Sequence, residues 1–86
     1  MEGIERTIEE KKVVLKIDSR VHSMNAVLAA AREFGRDFFV NVDGNPDDTL
    51  FVLITPKHGT LNAEQLIQNF EQMLSSFDKH ELLFSA

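Results

Sequence analysis

The chain has 86 residues, a formal charge of −5, 43% apolar residues and no cysteine, tryptophan or tyrosine. One domain of this size leaves a thin core, burying only about 60–65% of the surface its unfolded form would expose. Without cysteine there is no disulfide, thiolate metal site or thiol nucleophile. An acidic chain whose only basic pair is Lys11-Lys12 is a poor match for phosphate backbones, so nucleic-acid binding is not expected.

Residues 1–10 read as a frayed or extra short strand. Ile4 and Ile8 also suit a helical turn, and Glu9-Glu10-Lys11-Lys12 suits a turn between two strands. The acidic start has no long apolar stretch and does not read as a signal peptide. No apolar run approaches the roughly 20 residues that span a bilayer. A soluble, cytoplasmic protein with no membrane partner is expected.

Lys12 to Ile17 alternates, with Val13, Leu15 and Ile17 facing one way and Lys12, Val14 and Lys16 the other, as in a half-buried strand. Asp18 to Ser23 breaks the pattern, and Ser23 can cap a helix running to about Phe34. Met24, Val27, Leu28, Ala31 and Phe34 share a face at helical spacing. Gly35 ends the helix by tolerating the left-handed conformation.

Phe38 to Val42 is the next strand. The turn Asp43-Gly44-Asn45-Pro46-Asp47-Asp48 makes a hairpin with Thr49 to Thr55, whose run Leu50 to Ile54 has no polar face. Pro56 closes that strand. Lys57-His58-Gly59-Thr60 is a loop. Asn62 then caps a second helix, with Gln65 as reciprocal partner in a capping box. Leu66, Ile67, Phe70, Met73, Leu74 and Phe77 form its stripe, Lys79 and His80 sit near its end, and Leu82-Leu83-Phe84 folds back as a tail.

The order β-α-β-β-α predicts an α+β domain over residues 1–86. Its three-stranded mixed sheet has the order 1-3-2, with both helices on one face. The other face presents Val14, Phe39, Leu50, Val52 and Ile54, or the alternate set, depending on register. Such a patch exceeds what a monomer usually leaves in water, so a second copy or another protein is expected to cover it. The first ten residues or the tail could roof it instead.

No constellation reaches an enzyme motif. Asp43, Asn45 and Asp47 begin like a calcium loop, but Asp48 stands where glycine is needed and Ile54 where glutamate is needed. His22, His58 and His80 have no partner at helical metal spacing and read as exposed or loop residues. Ser23 beside His22 is no triad. The carboxylates Glu64, Glu71, Asp78 and Glu81 read as a solvated helix face. Lys57 and His58, at the exit of the central strand, are the residues on which a small ligand, a peptide or an enzymatic function would rest.

The helix ending Ala30-Ala31-Arg32-Glu33-Phe34 and the strand entry Arg36-Asp37-Phe38-Phe39-Val40 carry a resemblance. So do Thr55-Pro56-Lys57 and the late Phe77-Asp78-Lys79-His80-Glu81-Leu82-Leu83. Over residues 11–84 the chain resembles the small "D" accessory protein of His-Xaa-Ser peptide-maturation systems. The resemblance implies a noncatalytic accessory to radical S-adenosylmethionine enzymes that modify a repeat peptide, with no catalytic residue and no cofactor of its own. No iron–sulfur ligand exists without cysteine.

Three functions follow as expectations. The first is an adaptor binding a partner protein or peptide, by addition of a strand at Lys12–Ile17 or Phe38–Val42. The second is a structural homodimer. The third is a small enzyme using Lys57 and His58.

Overall fold

The computed structural model describes residues 2–45, 47–57 and 62–84, with the side chains of 80–84 left aside. Within it the chain runs β1 (Ile4–Ile8), β2 (Val13–Asp18), α1 (Met24–Phe34), β3 (Phe38–Gly44), β4 (Thr49–Pro56) and α2 (Ala63–Phe84). The four strands form one sheet in the order β1-β2-β4-β3, and every neighbouring pair is antiparallel. The domain is therefore α+β, with two corrections to the expected sheet. It has a fourth strand, and it is antiparallel rather than mixed: β2 and β3 run the same way, but β4 lies between them and they do not pair.

The fourth strand is β1, Ile4–Ile8, from the segment that reads in sequence as frayed or an extra short strand. Ile4 pairs with Ile17 and Ile8 with Val13, and the Glu9 N–H donates to the Lys12 carbonyl at 2.9 Å to close the turn. This takes the outer edge of β2, so Lys12–Ile17 cannot accept an added strand.

The register sorts the side chains. Val13, Leu15 and Ile17 of β2 stand opposite Ile54, Val52 and Leu50 of β4. All six are fully or almost fully buried beneath Ala26, Val27, Ala30 and Phe34 of α1 and Leu66, Ile67, Phe70 and Leu74 of α2. Both helices thus cover one face. Burying such side chains stabilises by about 1.5–3 kcal/mol each before conformational entropy is counted.

α1 is rotated from the expected stripe. Ala26 and Ala30 face the core while Met24 and Leu28 are more than a third exposed, because the small alanines let the helix lie close to the sheet. The Ser23 hydroxyl accepts from the Ala26 N–H at 3.1 Å, as an N-cap should. Gly35 has right-handed φ −61 and ψ −12, so its left-handed freedom is not used. Asn62 does cap α2, accepting the Gln65 N–H at 3.2 Å. The capping box stays open, because the Gln65 amide turns to Asn69 Oδ1 at 3.0 Å. α2 runs on through Phe84 instead of ending in a folded-back tail. Residues 63–84 contain no glycine or proline and are rich in strong helix formers.

Candidate functional site

The face of the sheet away from the helices is built from the other half of each strand. Thr7 pairs with Val14, Val14 with Leu53 and Leu53 with Asn41 across the full width. The next row is Glu5, Lys16, Phe51 and Asp43. Val14 and Leu53 are half-buried, while Phe51 and Phe39 are 38% and 62% exposed. No described element crosses this face, and β1 extends the sheet in its plane instead of roofing it.

The predicted patch is thereby split. Val14 and Phe39 lie on the open face. Leu50, Val52 and Ile54 lie in the core at 1%, 0% and 0% exposure, because β4 turns its other set, Phe51 and Leu53, outward. The open face is consequently mixed: four apolar side chains stand among threonines, Asn41, Asp43 and a surface Glu5–Lys16 pair at 3.9 Å.

Lys57 braces one end of this face. Its Nζ donates to the Gly35 carbonyl at 2.9 Å and stands 5.5 Å from the Phe39 ring centre, a geometry worth about 0.5–1 kcal/mol at an exposed site. His58 lies outside the described residues.

The two edges of the sheet differ. β1 is five residues long and carries Glu5 and Arg6. Arg6 shares the helix-side register with Leu15, and its guanidinium reaches the Glu64 carboxylate at 3.7 Å. Charges on a short edge strand discourage pairing with another chain. β3 is seven residues long, Phe-Phe-Val-Asn-Val-Asp-Gly, with no lysine, arginine or proline. Half of its backbone groups point away from β4. Phe38, Val40 and Val42 are half-buried against the core beside it.

Two local clusters are structural. At the hairpin, Asp43 Oδ1 accepts the Gly44 N–H at 2.8 Å and Asn45 Oδ1 the Asp47 N–H at 2.9 Å, so these side chains serve the turn. Among the described residues no three His, Asp or Glu side chains gather as metal ligands. Asp18 accepts from the Arg20 N–H at 2.9 Å and from its guanidinium at 3.2 Å through both oxygens. These contacts hold the Asp18 carboxyl below its ordinary range and raise Arg20.

Sequence reasoning missed His22. It is 4% exposed, with Nδ1 2.6 Å from Asp78 Oδ2 and Nε2 2.9 Å from the Glu2 carbonyl. Neither the 56-residue separation from Asp78 nor the burial leaves a signal in the spacing.

Comparison with protein families, curated proteins and solved structures gives no match. No described helix is long and apolar enough to cross a membrane.

Proposed function

We propose that the domain is a noncatalytic adaptor that binds an extended segment of another polypeptide along β3, adding it to the sheet as a fifth strand. The observation that carries this reading is the contrast between the edges: β1 is short and charged, whereas β3 is longer and has no protective lysine, arginine or proline. Main-chain hydrogen bonds would supply affinity, and side chains of the segment would alternate between Phe39 on the open face and the half-buried row Phe38, Val40 and Val42. The net charge of −5 favours a basic segment over a second acidic copy. In the setting implied by the likeness to His-Xaa-Ser accessory proteins, the segment would belong to the peptide substrate or to its modifying enzyme.

The test begins with short peptides selected from a display library on the intact protein. The binders are expected to slow hydrogen exchange at the β3 amides and leave β1 unchanged, and Phe39→Lys should weaken them about tenfold while preserving the fold. Binders that leave β3 unprotected would sink the reading. So would wild-type protein that runs at twice the monomer mass by light scattering with β3 already protected, which would make the domain a homodimer.

A further inference from the structure

An open cleft of about 560 Å³ lies beside the first residue of β3, between the end of α1 and the middle of α2. Phe34, Phe38, Leu66 and Met73 supply its apolar wall, while Glu33 and Asp37 stand among the described lining residues, which include no lysine or arginine. The Phe34 and Phe38 rings stack at 5.6 Å and the Phe34 ring meets Phe70 edge-on at 5.2 Å, so the wall is a fixed aromatic surface. The cleft also adjoins the C-terminus of α1, where the helix dipole favours positive charge. Two cations of the chain already gather at that helix end from outside the cleft. Lys57 Nζ binds the Gly35 carbonyl at 2.9 Å, and the Arg36 guanidinium reaches Glu33 at 3.8 Å.

We propose that this cleft is a specificity pocket for a cationic group on an apolar stem, namely a lysine or arginine side chain of the bound segment. The stem lies against Phe34, Phe38 and Met73, and the charge meets Glu33 and Asp37. Lysine and arginine have this construction, an aliphatic stem and a charged head. The identity of the side chain's owner rests on the strand-addition reading, but the chemistry of the pocket does not.

The pocket is therefore tested without a peptide, by titrating n-hexylammonium into the full chain and following the Met73 methyl and the Phe34 and Phe38 rings by NMR. n-Hexanoate and n-hexanol are the controls. Hexylammonium should shift these signals saturably, while hexanoate leaves them in place. Glu33→Gln and Asp37→Asn should each weaken it about two- to fivefold, the range of a partly exposed ion pair. Arg36→Gln should tighten it up to about twofold by freeing Glu33, an opposite sign that loss of fold cannot mimic. Non-saturating shifts, equal response to hexanoate or hexanol, or indifference to all three substitutions would overturn the pocket. Failure of hexylammonium would leave β3 protection by selected peptides intact. Failure of β3 protection with hexylammonium still bound would remove the strand reading alone.

Discussion

His22 Nδ1 lies 2.6 Å from Asp78 Oδ2, joining the entrance of α1 to the far half of α2, while Nε2 meets the Glu2 carbonyl at 2.9 Å. The ring thus ties three distant segments at once, with side-chain exposures of 5% for His22 and 22% for Asp78.

A buried hydrogen bond to a charged group contributes about 1.5–3 kcal/mol, and leaving one partner unsatisfied is costly. His22→Ala should therefore lower stability by about 2–3 kcal/mol in urea. The double variant with Asp78→Ala should show a coupling of about 1.5–3 kcal/mol. Strict additivity would mean that the contact contributes nothing.

The split of the strand side chains predicts unequal costs for substitutions that look alike in the sequence. Val52→Asp places a charge among Leu15, Val42 and the helix residues and should unfold the domain. Phe70→Ala should cost about 3–5 kcal/mol, since Phe70 is fully buried and packs edge-on against Phe34. Phe39→Ala, on a ring 62% exposed, should cost within about 1 kcal/mol, chiefly the Lys57 contact. Chemical denaturation of the three variants decides the matter, and a Phe39→Ala cost near that of Phe70→Ala would be incompatible with this sheet register.

The alternation in β2 was legible because polar residues separate Val13, Leu15 and Ile17 and point them inward. β4 was legible as a strand but not in register: Leu50 to Ile54 is apolar on both sides, so its own sequence cannot say which set meets the helices. Only pairing with β2 decides it, and that put Leu50, Val52 and Ile54 inside. β1 was ambiguous because Ile4 and Ile8 fit a helix as well as a strand, and the ladder to β2 settles it. The His22–Asp78 contact and the Glu33–Asp37 cleft arise only when helices far apart in the chain are packed together. Local spacing carries neither.

Gly44 turns the hairpin with φ +109, and a Cβ there would lie 2.4 Å from the Thr49 carbonyl oxygen. That oxygen already accepts the Asn45 N–H at 2.9 Å, so it cannot retreat without opening the turn. Gly44→Ala should cost about 2 kcal/mol or more, combining backbone strain with a clash against main chain. Hydrogen exchange should show the loss first in β3 and at the Asn45 amide. A variant as stable as the wild type would mean that the turn takes another conformation in solution.

The Asp18–Arg20 pair sets an acid dependence whose sign follows from its geometry. The Arg20 guanidinium, and then its backbone N–H, bond to the Asp18 carboxylate and hold it below the ordinary value of 3.8. A carboxyl depressed on folding releases its proton more readily in the native state. Its stabilising contribution is therefore complete above the unfolded value and disappears as the pH falls through the folded one. The stability gap between wild type and Asp18→Asn should be constant at neutral pH and shrink below pH 3.8. Salt should narrow it further, because the pair lies at the surface. In an NMR titration the Asp18 carboxyl should ionise below 3.8 in the wild type and move part of the way back in Arg20→Ala, where the backbone N–H still donates. An unchanged midpoint in Arg20→Ala would show that the guanidinium contacts exert no electrostatic hold on the carboxylate.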